Sequence, residues 1–247
     1  LERKIRVGAV SYLNTKPLLY GIQRSAIMND IILRIDYPSR IGSMLVNDEI
    51  DLGLVPVAII PELKSYYINT DYGISCDGPI ASVCLFSESP IDKVEKVLFD
   101  YQSRTSVILA KILLKEYWKI QPELIDGGED FRNHIKGTVA GVVIGDRALE
   151  QRKKSTYIYD LGEAWKQLTG LPFVFAAWIS NKKLDTGFVN EFNTANGIGL
   201  NDIEAVLKDL DYDVFDLHDY YTRYISYKLD ASKKEGMDLF IRKLKNY

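Results

Sequence analysis

The sequence predicts a two-domain α/β protein with a ligand cleft between the domains. Three observations lead there. Short apolar runs of strand character alternate with amphipathic helical stretches, the pattern of a parallel sheet. The alternation occurs twice, at the start of the chain and again in its middle. In both places strand and helix are joined by a polar turn, and such turns lie at the carboxyl edge of an open sheet, where ligands bind.

The elements follow in order. Residues 5–10 (IRVGAV) make a short buried strand. The chain then turns through Ser11, Tyr12, Leu13, Asn14 and Thr15 into a helix with Pro17 in its first turn. Free N–H groups and the positive end of the helix dipole favour an anion at that turn. The plainer reading makes Asn14 or Thr15 only a cap. Residues 31–37 (IILRIDY) form a second strand, after which Pro38, Ser39 and Arg40 open a helix to about residue 47. Residues 52–57 (LGLVPV) are a third strand. Over 66–87 two β-rich runs flank the Asp77-Gly78-Pro79 turn, with Ser82 in the second, and read as longer strands leading out of the first domain.

Residues 96–100 (KVLFD) are another short buried strand. Ser103, Arg104, Thr105 and Ser106 then open a helix over 107–117 with a wide apolar face. This is the second anion cradle and the stronger one, because Arg104 adds a fixed charge able to grip a carboxylate through two N–H bonds. Its plainer alternative is a capped helix with a surface arginine. Residues 139–144 (VAGVVI) form an apolar strand ending at Gly145, and Asp146 either caps the following helix or faces the cleft. A strand over 157–161 and a short helix over 162–168, stopped by Thr169 and Gly170, precede a long aromatic strand over 172–179 that returns to the first domain. Beyond residue 185 helical spacing dominates, over 202–210, 216–229 and 231–244. The expected division is residues 1–87 with 178–247 as a discontinuous first domain and 88–177 as an inserted second one. Hinges are expected near 86–90 and 176–180.

Composition narrows the function. The 247 residues, 47% hydrophobic and 26% charged, suffice for one large or two small domains. A net charge of -3 gives no footprint for nucleic acid or an anionic membrane. No signal-peptide pattern and no apolar run of about 18 residues is present, so a cytoplasmic location is expected. Cys76 and Cys84, with His134 and His218, show no metal-ligand spacing, so neither a metal nor a disulfide framework is expected. The clustered Tyr212, Tyr220, Tyr221, Tyr224 and Tyr227 offer either a homodimer face or a helical packing face.

Five blocks carry a resemblance: SYLNTKPL at 11–18, SVCLFS at 82–87, SRTS at 103–106, IGDRAL at 144–149 and DLGEAWKQLTGLPFVFAAW at 160–178. In order and spacing they resemble the signature blocks of the MqnA/MqnD family over nearly the whole chain, the first block being closer to the MqnA branch. The resemblance implies a type II periplasmic-binding-protein fold used as a cytoplasmic enzyme. It implies a chorismate dehydratase of the futalosine route to menaquinone, a carbon–oxygen lyase working without metal or organic cofactor. On this reading Asn14 is catalytic, orienting the substrate's enolpyruvyl carboxylate or the departing hydroxyl. Substrate binding then falls to Ser11, Ser39, Arg40, Ser82, Ser103, Arg104, Thr105, Ser106, Asp146 and Thr169. Neither histidine lies in a block, and a helix-capping Asp146 has too low a pKa to be a good base. The substrate's own carboxylate is therefore expected to take the proton. Two other readings share the fold. One is a solute-binding protein for a small dicarboxylate, which the lack of an export signal disfavours. The other is the sister MqnD-type enzyme, which is expected to need a base such as histidine in the cleft.

Overall fold

The computed structural model describes residues 4–247. Its strands are β1 (Ile5–Val10), β2 (Ile31–Asp36), β3 (Leu52–Pro56), β4 (Tyr67–Cys76), β5 (Val83–Ser87), β6 (Lys96–Phe99), β7 (Glu123–Asp126), β8 (Val139–Ile144), β9 (Tyr157–Asp160), β10 (Phe173–Ser180) and β11 (Ser226–Lys228). Its helices are α1 (Lys16–Arg24), α2 (Pro38–Val46), α3 (Arg104–Glu116), α4 (Asp146–Gln151), α5 (Leu161–Thr169), α6 (Thr186–Leu200), α7 (Ile203–Lys208), α8 (Leu217–Asp219) and α9 (Ala231–Leu244). A π-helical turn, Tyr220–Tyr224, follows α8.

The strands sort into two sheets, ordered β11-β4-β10-β3-β1-β2 and β7-β6-β8-β5-β9. β1 runs parallel to β2 and β3, and β6 runs parallel to β7 and β8. These are the β–α units read from the sequence. Two strands complete the frame in antiparallel sense: β10 between β3 and β4, and β5 between β8 and β9. Every residue of β3, β5 and β10 is buried, which is why they read as apolar runs without alternation.

The chain changes sheet between Cys76 and Val83 and returns between Asp160 and Phe173. These crossings lie away from the expected boundaries. β5 pairs wholly within the second sheet although it was assigned to the first domain, and β10 begins in the first sheet five residues before the expected return at 178. The expected hinge at 176–180 falls inside β10, and the one at 86–90 begins in the last two residues of β5. Phe86 is opposite both Gly141 and Ile158, and Ala176 is opposite Pro56 and Ile74. Asp160 ties the true crossings together. Its carboxylate accepts from Ile80 N (3.1 Å) and Ala81 N (2.7 Å) on the outward crossing, and from Gly162 N (2.9 Å) and Glu163 N (3.2 Å) on the return. Burial raises its pKa, and those four N–H groups oppose the rise.

Helical spacing over 216–229 overreached: the last part of that stretch is β11, an edge strand paired with β4. The tyrosines are packing residues. Tyr220, Tyr221 and Tyr227 are buried, and Tyr212 and Tyr224 are half-buried against the core. Cys76 and Cys84 are free, buried thiols. Among the described residues no helix is long and apolar enough to cross a membrane.

Candidate functional site

A cleft between the two sheets is lined by residues of both. The first sheet contributes Tyr12 and Asn14 from the turn after β1, Pro56 at the end of β3, and Phe175 of β10. The second contributes Ser103, Thr105 and Ser106 at the start of α3, and Gly145 after β8. Carboxyl ends of strands and one helix N-terminus thus converge, as the strand–turn–helix pattern requires. None of the lining residues carries a formal charge at neutral pH, and no carboxylate or imidazole is among them.

Asn14 is held in a short 3-10 turn, Leu13–Thr15, and is 9% exposed. It caps nothing. The start of α1 receives no side-chain hydrogen bond from Asn14 or Thr15, so the plainer reading fails. Instead its side-chain Oδ1 accepts from the Thr15 hydroxyl (3.1 Å), and its carbonyl accepts from the Tyr227 hydroxyl (2.8 Å). At α3 the Ser103 Oγ accepts from Ser106 N (3.1 Å) and donates to Ser106 Oγ (2.9 Å). That is a helix cap, and it faces the cleft as well. The first N–H groups of this 13-residue helix have no intrahelical partner.

Thr105 Oγ1 accepts from Ala58 N (3.2 Å), which joins α3 to the turn after β3. Arg104 does not reach the cleft. Its guanidinium turns to Glu62 (2.7 and 3.0 Å) and Ser43 (3.1 Å) in the first half, so it braces the two halves. Ser39 also braces, its N–H and hydroxyl meeting the carbonyls of Gln102 (3.1 Å) and Tyr101 (3.3 Å). Arg40 is an exposed partner of Asp36 at 3.2 Å, and Ser11 is exposed outside the cleft lining. Thr169 bonds within its own turn, to Trp165 O (2.8 Å) and Leu171 N (3.1 Å). Ser82 is fully buried next to the lining residue Val83 and accepts from the Tyr220 hydroxyl at 2.6 Å.

Asp146 is the first residue of α4, with Gly145 at the cap position, and its carboxylate accepts from Leu13 N across the cleft edge at 2.9 Å. Burial raises its pKa against that hydrogen bond, the reverse of the low value expected for a capping carboxylate. Four features escaped sequence reasoning. Tyr12 lines the cleft and donates to Gln102 Oε1 from the opposite half. Gly145 adopts φ 63° with the Tyr12 ring against it. Behind them Asp100, a fully buried carboxylate, accepts from Arg147 at 2.7 Å on both oxygens and from Ile144 N at 3.2 Å. Burial alone would lower the Arg147 pKa, but Asp100 outweighs it. Tyr12, Gly145 and Arg147 all sit in the quoted sequence blocks. Asp100 carries no local signal.

The sequence is 27% identical to a chorismate dehydratase of Campylobacter jejuni over 246 residues, covering 96% of each chain. It is 29% identical to a chorismate dehydratase of Thermus thermophilus over 193 residues, covering 70% of this chain and 68% of that one. The fold is similar to that of the periplasmic aliphatic sulphonate binding protein of Escherichia coli, with a TM-score of 0.59, 16% identity, and 98% and 93% of the chains covered. The architecture is thus the α/β periplasmic-binding-protein-like fold with its cleft between two sheets. A sequence model for a family described as menaquinone biosynthesis matches residues 5–246, and the chain belongs to that family.

Proposed function

We propose that this chain is a chorismate dehydratase, a carbon–oxygen lyase that converts chorismate to 3-[(1-carboxyvinyl)oxy]benzoate and water. The observation that carries the reading is a small, largely apolar cleft with hydroxyl and amide groups at one turn and one helix start and no carboxylate or imidazole, in a chain related along 96% of its length to a chorismate dehydratase. Chorismate is a dianion, and the donors at α3 and Asn14 suit its carboxylates. The reaction removes the proton on the ring carbon that bears the ether and the hydroxyl on the neighbouring carbon. The electron pair of the broken C–H bond completes the aromatic ring as the hydroxyl leaves.

A proton acceptor is needed, and the lining supplies none, since Tyr12 is pushed up by burial and stays protonated. The substrate's enolpyruvyl carboxylate, held beside the ring, takes that role and passes the proton to the departing hydroxyl, so that water leaves and the carboxylate is restored. The cleft then contributes orientation and preorganised dipoles, each such donor being worth about 3 kcal/mol in a closed site. Asn14 is the residue assigned to hold the acceptor carboxylate or the departing hydroxyl. A cytoplasmic location suits this biosynthetic role. The two halves meet at the crossings 77–82 and 161–172, which are the domain boundaries in this reading.

The test is to incubate the purified protein with chorismate in chelator-treated buffer and follow products by chromatography and mass. Loss of one water to give the enolpyruvyl benzoate is expected, and Asn14→Ala should lower kcat about 100-fold. Binding without turnover would overturn the reading in favour of a solute receptor.

A further inference from the structure

Asparagine offers one side-chain acceptor and two donors, and a cleft can be presented with either. In this structure both oxygens of Asn14 are occupied. The fully buried Thr15 hydroxyl donates to Oδ1 at 3.1 Å and has no other hydrogen-bond partner among the described residues. The Tyr227 hydroxyl, reaching 213 positions back from edge strand β11, donates to the Asn14 carbonyl at 2.8 Å. The Nδ2 group has no protein partner among the described residues, and Asn14 lines the cleft.

We propose that Thr15 and Tyr227 are positioning residues that clamp Asn14 at both oxygens, so that its side-chain NH₂ faces the bound anion as a donor. The proposal rests on the reading of this cleft as an anion site with Asn14 in contact with substrate. Thr15 selects the amide rotamer, because a flipped amide would leave its hydroxyl hydrogen without an acceptor in a dry interior. Tyr227 fixes the backbone of a one-turn 3-10 segment at the point where it leads into α1. Burial keeps Tyr227 protonated and therefore a donor. An NH₂ donor can hold a carboxylate or a leaving hydroxyl, but it cannot accept a proton, which agrees with a base supplied by the substrate.

The experiment compares Thr15→Val, Thr15→Ser, Tyr227→Phe and Asn14→Ala in the full chain. With chorismate, Thr15→Val and Tyr227→Phe should each lower kcat about tenfold while KM moves less than about twofold. Thr15→Ser, which keeps the hydroxyl, should recover most of that loss. In the Asn14→Ala background Thr15→Val should change kcat by less than about twofold, since a clamp has nothing left to hold. The readout independent of turnover is the side-chain ¹⁵N–¹H amide pair of Asn14, identified by its disappearance in Asn14→Ala. Added benzoate should shift this pair in the unsubstituted protein and leave it unshifted in Thr15→Val and Tyr227→Phe. If Thr15→Val melts far below the parent, Tyr227→Phe carries the test. Unchanged kcat in both clamp variants, equal losses with and without Asn14, or an amide pair blind to benzoate would each overturn the proposal. If chorismate is not dehydrated while the amide pair responds as stated, the dehydratase reading falls and the clamp stands.

Discussion

Gly145 shows how narrowly single residues are specified at the cleft. Its φ of 63° lies where side chains are strained, and a Cβ there would meet the Tyr12 ring at 2.8 Å. Gly145→Ala should therefore cost about 1–3 kcal/mol in urea denaturation and lower kcat/KM, because Tyr12 has to leave Gln102 to make room. At this scale the sequence was partly legible. The hydroxyl run before α3 announced a cap, and residues 103, 105 and 106 do line the cleft. Arg104 sits in the same run and points elsewhere. Its direction was decided by Glu62, 42 positions earlier, which no local pattern connects to it. Tyr12 was not singled out in its polar turn because nothing local pairs it with Gln102, 90 positions on. Asp146 reversed its expected pKa direction because burial, invisible in sequence, outweighs one hydrogen bond.

At the scale of elements, the crossings depend on Asp160. Four backbone N–H groups from two separate segments converge on one carboxylate, which is also the cap of α5. Asp160→Ala strips the cap and orphans buried donors, and should lower unfolding stability by about 2–4 kcal/mol in urea titration. The order of strands and helices was readable from buried apolar runs and amphipathic spacing. Sheet membership was not. Whether β5 pairs forward or backward is decided by partners 55 to 76 residues away, and its own residues are almost all apolar on both faces. β7 went unread because it is a four-residue edge strand with exposed side chains and no alternation. β11 was taken for helix because its tyrosine spacing continues that of the preceding turns, and pairing with β4 overrides local preference.

The molecule as a whole should weaken in acid through Asp51. This buried carboxylate precedes β3 and accepts from Arg6 N (2.9 Å) and Nε (3.0 Å) in β1, with Lys182 beyond β10 at 3.0 Å. Burial would raise its pKa, but the Arg6 hydrogen bonds and Lys182 hold it well below the usual carboxylate range. A depressed folded pKa stabilises fully above the unfolded value near about 4, and that contribution is lost as pH falls below it. Thermal unfolding between pH 7 and pH 3 should show the loss. Asp51→Asn should flatten it while costing about 2–3 kcal/mol at pH 7. The halves are also joined around the cleft by Leu13 to Asp146, Ala58 to Thr105, and Arg104 to Glu62, every one a bond between protein groups. A receptor of this shape ordinarily uses its solute as the glue that shuts it. Here the two jaws are laced to each other by their own groups, so whatever enters the cleft has those bonds to part first.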